Sequence, residues 1–175
     1  MTFGIARPFG IRDIKITNIG GTTQVDLPAG MKLGFSDKVT NGEMRGDDIL
    51  SEVVTIRDGI EWSLESGGIP LYAWALMTGT TVALAGVTPN QTNTFQADAG
   101  QCFPYFKIYG KAIGLDCTGD VHVLIHKAKL TDPLEGEFGD GEFFVSKCSG
   151  VGLDDGSNGA YEIVENETAA ALPAT

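Results

Sequence analysis

Ile60–Thr81, IEWSLESGGIPLYAWALMTGTT, is the one stretch in which the period of the sequence changes. Up to Glu65, Trp62 and Leu64 alternate with Glu61, Ser63 and Glu65, the two-residue repeat of a half-buried strand. Ser66-Gly67-Gly68 breaks it. Pro70 pre-sets φ for a first helical turn, Ile69 before it is pushed towards an extended conformation, and Gly79 supplies a left-handed stop. The reading is a helix of roughly nine residues, Pro70 to Thr78, shorter than the ~12–15 that an isolated helix needs. Leu71, Trp74 and Ala75 share one face, Tyr72 and Leu76 flank it, and Ala73 and Met77 complete the circumference, so no charged face exists. A helix apolar all round requires cover on more than one side. The cover is either a sheet and loop of the same chain or a neighbouring subunit. The second makes Leu71, Trp74, Ala75 and Met77 a candidate subunit interface.

Outward from this junction the chain reads as strand. Residues 1–10, with Arg7-Pro8-Phe9-Gly10, are expected to form an arm, because proline and glycine oppose regular pairing. Ile14 and Ile16 mark a first strand over Ile11–Ile19, Val25 and Leu27 a short one, and Met31, Leu33 and Phe35 a well-marked one. Ser36–Ile49, SDKVTNGEMRGDDI, is fourteen residues of polar character and reads as a long loop over 36–49, with Asn41-Gly42 able to make it a protruding hairpin. Leu50, Glu52, Val54 and Ile56 then alternate with Ser51, Val53, Thr55 and Arg57, and Asp58-Gly59 is expected to turn the chain towards the Trp62 strand. After the helix, strands are expected at Val82–Leu84, at Phe103–Ile113 and at Asp120–Leu130, the last with both faces partly apolar, as suits a central position. Phe138, Phe143 and Val145 begin another, Ala160–Val164 adds one more, and Glu165–Thr175 is expected as a mobile acidic tail. The fold class is mainly β: a single domain over 1–175, a β-sandwich or barrel of about eight to ten strands with one short flanking α-helix.

Charge is uneven. Twelve Lys and Arg stand against 23 Asp and Glu, for −11. From residue 130 onward there are ten acids and one base, Lys147, whereas the first 129 residues hold 13 acids and 11 bases. This excludes an ordinary nucleic-acid binder, whose affinity comes from neutralising phosphates with Lys and Arg. No apolar run approaches the ~18 residues that span a bilayer, and the Met-Thr-Phe-Gly-Ile start lacks a signal-peptide pattern, so synthesis and retention in the cytoplasm are expected. Cys102, Cys117 and Cys148 have no C-x-x-C spacing and are expected as small buried residues.

Candidate chemistry is thin. His122 and His126 share a strand face but lie roughly 13 Å apart at ~3.3 Å per residue, too far to hold one ion. Asp154-Asp155-Gly156-Ser157-Asn158-Gly159 lacks the spacing and closing glutamate of a calcium loop and reads as a turn. No nucleophile elbow, P-loop or dinucleotide fingerprint occurs. No enzyme, cofactor or metal is expected.

The strand of Glu52 to Arg57, the run Trp62-Ser63-Leu64-Glu65-Ser66-Gly67 and the helix from Pro70 to Thr78 stopped at Gly79 make a layout that resembles the major tail tube proteins of long-tailed, non-contractile bacteriophages. The resemblance runs over most of the chain, in layout and in this strand-Ser-Gly-helix-Gly junction. It implies a β-sandwich with a flanking helix, a homo-oligomer of hexameric rings stacked into a tube, and a place in the virion tail after assembly in the host cytoplasm. The implied partners are a tape-measure protein and tail terminator and tail-tip proteins, with DNA passing through unbound and no membrane involved. Under it, the loop with Glu43, Arg45, Asp47 and Asp48 would reach the next ring or subunit. Edge strands would pair around the ring, and an acidic lumen would repel phosphate within a Debye length of about 8–10 Å. Ser51, Val53 and Thr55 form a candidate lumen face, with Glu52 turned to the core, or the reverse. Two alternatives stay open: a β-sandwich module binding carbohydrate or protein on a virion or cell surface, and a tube protein of the secretion-system type.

Overall fold

The strand from Asp120 to Leu130 organises the molecule, and its two apolar faces are the reason. The computed structural model describes residues 7–27, 29–46, 49–114 and 119–173. Within them lie β1 (Phe9–Asn18), β2 (Gln24–Asp26), β3 (Gly30–Gly46), β4 (Ile49–Gly67), α1 (Leu71–Thr78), β5 (Val82–Ala85), β6 (Thr92–Phe95), β7 (Phe106–Ile113), β8 (Asp120–Leu130), β9 (Glu135–Gly136), β10 (Val145–Gly152) and β11 (Glu162–Asn166). The protein is mainly β, with one short helix among the described residues. The large sheet is antiparallel in the order β2-β1-β7-β8-β10-β4-β3, with β11 on β8 and β9 on β10, while β5 and β6 form a hairpin of their own.

The first half of β8 pairs with β11 on one side and its length pairs with β7 on the other, while its last residues, Ala128–Leu130, pair with Gly152–Gly150 of β10. Changing partners along one strand folds the sheet over, so that β3 and β4 lie across β1 and β7. Two glycines permit the close approach: a Cβ on Gly110 would collide with Leu33 Cδ2, and one on Gly30 with Ile14 Cδ1. Between the layers sit Ile14, Ile16, Ile60, Leu64, Ile108 and Ile125, with Trp62 edge-on to Phe106 at 5.7 Å.

The helix runs from Leu71 to Thr78 after Pro70 and stops at Gly79 in the left-handed region, φ 77°, where the Thr80 N–H donates to the Ala75 carbonyl at 2.9 Å. It lies against β1, β2, β5 and β8. Ala73, Ala75, Met77 and Thr78 are buried, Leu71 and Trp74 half-buried, and only Tyr72 is largely in water. Trp74 is covered by Phe95 of β6 and by Phe144, at 6.1 and 6.5 Å between ring centres. The cover an all-round apolar helix requires therefore comes from its own chain. Of the residues expected at a subunit interface, Ala75 and Met77 are buried within the protomer, and Leu71 and Trp74 are half-buried.

Other expectations are corrected. Residues 36–46 are not loop but the outer half of β3, paired with β4 to Gly46↔Ile49. The reversal lies between Gly46 and Ile49 and not at Asn41-Gly42, which is mid-strand opposite Thr55 and Val54. Asp58-Gly59 is no turn: β4 runs through it, and the register shift between Lys38↔Gly59 and Val39↔Arg57 makes it a bulge. Phe138 and Phe143 precede β10, which starts only at Val145. Glu165 and Asn166 belong to β11, and the segment after them is tied down: Leu172, 4% exposed, packs on Tyr109 and Leu124. Of the N-terminal arm, residues 1–6 lie outside the described residues, and Phe9 and Gly10 already belong to β1.

Candidate functional site

β3 and β4 are far longer than the sandwich they help to build. Their inner halves, Gly30–Phe35 and Ile60–Gly67, supply Leu33, Trp62 and Leu64 to the core. Beyond the Asp58 bulge they continue as a two-stranded arm. From Gly59 to Leu50 this is about 30 Å of hairpin at ~3.3 Å per residue. Residues 36–45 and 49–58 are all exposed.

Register assigns two faces. Thr40, Gly42 and Met44 stand opposite Ile56, Val54 and Glu52, making one face whose large side chains are mostly apolar. Val39, Asn41 and Glu43 stand opposite Arg57, Thr55 and Val53, making a more polar face, on which Thr55 Oγ1 donates to Asn41 Oδ1 at 2.8 Å. Met44, Val53, Val54 and Ile56 are each 53–59% exposed, and Ile49 at the tip 70%. A two-stranded ribbon is marginal by itself in water. Covering the exposed half of each of these side chains would contribute about 1 kcal/mol apiece, half of the full-burial value. Ion pairs along the arm, Arg57–Asp37 at 2.8 Å and Arg45–Glu43 at 3.3 Å, are solvent-exposed and hold local geometry more than stability.

Set against the expected sites, Glu43 and Arg45 are on this arm near its tip, while Asp47 and Asp48 lie outside the described residues. Val53 and Thr55 share a face, but Ser51 sits in a second bulge, between the Met44 and Arg45 pairings, and leaves their alternation. Glu52 is not turned to the core, because neither face of the arm has a core beneath it. Among the described residues β3 is also the last strand of the sheet, and its outer edge pairs with none of them.

The titratable groups do structural work. Asp120, 1% exposed, receives Asn166 Nδ2 at 2.7 Å and the Ala170 N–H at 2.8 Å, with Lys111 Nζ at 2.8 Å. Burial raises its pKa, but the Lys111, Asn166 and Ala170 hydrogen bonds and the nearby His122 outweigh this and lower it to about 2. His122 Nε2 lies 3.2 Å from Asp120 without the alignment of a hydrogen bond, and His126 pairs with Glu162 instead. Asp155 closes a turn: hydrogen bonds from the Asn158 and Ser157 N–H groups and the Asn158 amide lower its pKa to about 2. Among the described residues no group of three His, Cys, Asp or Glu could hold a metal ion. Burial pushes the Cys148 thiol up to about 12, whereas Cys102 is exposed, against expectation, and Cys117 lies outside the described residues. A cleft of about 650 Å³ along β3, β4 and β10 is lined by polar and apolar groups alike, and its Lys38–Glu61 and Ser149–Asp132 groups already pair with each other.

No protein-family model matches this sequence, and comparison with curated proteins finds no match. No helix among the described residues is long and apolar enough to cross a membrane. The feature sequence reasoning undervalued is the apolar content of the arm. Val54 and Ile56 lie in an alternation that reads as strand, but Val39 and Met44, five residues apart, give no two-residue period, and the Asn, Gly and acids around them give 36–49 the composition of a loop.

Proposed function

We propose that this chain is a structural subunit that assembles with copies of itself, in the manner of a phage tail tube: rings, expected as hexamers, that stack around a channel through which DNA passes unbound. The observation that carries this reading is the arm, some 20 residues of paired strand with both faces in water and exposed valine, isoleucine and methionine on them. A soluble chain leaves such a ribbon bare only if something else covers it. In the tube reading the arm lies on the next subunit or ring. The open edge of β3 supports sheet continuation from one subunit to its neighbour. The tape-measure, terminator and tip proteins of such tails are the further partners, and the assembled site is the virion tail. The net charge of −11 supports a conduit that does not hold phosphate.

Sedimentation velocity and negative-stain microscopy of the purified chain over a wide concentration range test this. Hollow rings or tubes are the expected result. A monodisperse monomer at every concentration and salt would overturn it and favour a stand-alone binding module.

A further inference from the structure

We propose that a second copy of this chain docks head to tail on the first, its loop 137–143 seated on a surface built from Tyr105, Lys107, Lys127 and Lys129. The proposal rests on the self-assembly reading and names a contact through which it occurs.

Each surface lacks something that the other supplies. In the loop before β10, Phe143 is 98% exposed and Phe138 81%, with the Phe138 ring tilted against Phe144 at 4.7 Å between centres. Glu137, Asp140 and Glu142, all exposed, flank them in sequence. A whole phenylalanine ring left in water in an acidic loop has the composition of an anchor for a basic, aromatic surface. That surface exists elsewhere on the same chain. Lys127 and Lys129 of β8 hold their ammonium groups 5.4 and 5.0 Å from the centre of the Tyr105 ring, and Lys107 of β7 follows Tyr105 by two residues. Among the described residues none of these three lysines has a carboxylate within 4.0 Å, although the chain carries almost twice as many acids as bases.

The loop cannot satisfy its own chain's lysines. Val145, where β10 begins, is six residues from Val151, the residue paired with Lys129, a distance of about 20 Å along the strand. The two surfaces are also different patches of one molecule. A contact between them is therefore heterologous and propagates, closing into a ring or continuing as a filament, where a self-complementary patch would stop at a dimer. The carboxylates would meet the lysines at the rim while Phe143 covers the Tyr105 ring.

Charge reversal on each side tests it. Neither Lys127→Glu with Lys129→Glu nor Glu137→Lys with Glu142→Lys is expected to assemble alone, each requiring more than about tenfold higher protein concentration than the wild type, because like charges are juxtaposed. Mixed in equal amounts, the two restore assembly, since every loop then finds a complementary surface. Circular dichroism confirms folding. If the lysine variant fails to fold, the loop variant suffices, and its assembly should strengthen with salt while that of the wild type weakens. Assembly of either folded variant at the wild-type concentration, a mixture of folded variants that stays dispersed, or equal salt slopes overturns the proposal and leaves the self-assembly reading intact. Failure of the wild type to assemble removes both.

Discussion

Lys111 meets Asp120 at 2.8 Å beneath the C-terminal segment, and the same carboxylate accepts the Ala170 N–H, so one buried ion pair joins β7, β8 and the end of the chain. The folded pKa of Asp120 is about 2, below its ordinary value, because the Lys111, Asn166 and Ala170 hydrogen bonds exceed the cost of burial. A lowered carboxylate pKa contributes stability that is full above the unfolded value near 4 and is lost as pH falls through 4 towards 2. Thermal unfolding followed from pH 6 to pH 2 should show this acid loss in the wild type and a shallower one in Asp120→Asn. That variant should also be less stable at pH 7 by about 3 kcal/mol, for it leaves Lys111 facing no charge. Equal acid slopes in the two proteins would sink the assignment.

The arm and the sandwich should separate cleanly. Val54→Asp with Ile56→Asp changes two exposed side chains with no core beneath them, so the melting temperature should shift by no more than the equivalent of about 0.5 kcal/mol. Assembly, read by sedimentation velocity, should be lost. Intact assembly in this variant would show that the arm is not the contact.

The helix should behave in the opposite way. Met77 is 1% exposed within its own chain, and Met77→Ala should destabilise the protomer by about 2–5 kcal/mol. Tyr72→Ala, at a position 53% exposed, should cost less than about 1 kcal/mol. Chemical denaturation of both variants checks the contrast, and a Met77→Ala protein as stable as the wild type contradicts the packing.

Thiol labelling distinguishes the cysteines. At pH 8 a maleimide should modify Cys102, which is exposed, and spare Cys148, whose pKa burial raises to about 12. Peptide mapping of the native protein reads this directly. Modification of Cys148 at the rate of Cys102 would mean that β10 opens readily.

Limited proteolysis should leave the end of the chain uncut. Leu172 is buried on Tyr109 and Leu124, and Leu172→Asp should make residues 167–173 the first site of cleavage. Rapid trimming of the wild-type segment would contradict its docking.

The sequence revealed most where periodicity and special residues agree. Pro70 and Gly79 bound a helix in the structure as they do in the sequence, and Trp62 and Leu64 face the core as their alternation requires. It misled where one residue type serves two geometries. Asp58-Gly59 reads as a turn, yet a Gly inside a long strand equally suits a bulge, and β4 passes straight through. The arm was hidden for a related reason: strand pairing depends on a partner strand, and the partner of Ser36–Gly46 is a well-marked alternation that was legible only singly. The acidic, alanine-rich C-terminus carries no sign of order, because the carboxylate that anchors it, Asp120, is 50 residues away from Ala170.

β8 is held by β7 and β11 on its first half and by β10 at its end. Both layers thus meet on one continuous strand, joined there by the pairings of Ala128–Leu130 with Gly152–Gly150 and by the side chains packed between them. Unfolding should consequently be a single event, and in any array of such subunits axial strain would run through a covalent thread inside each one, leaving the joints between copies as the place where the array yields first.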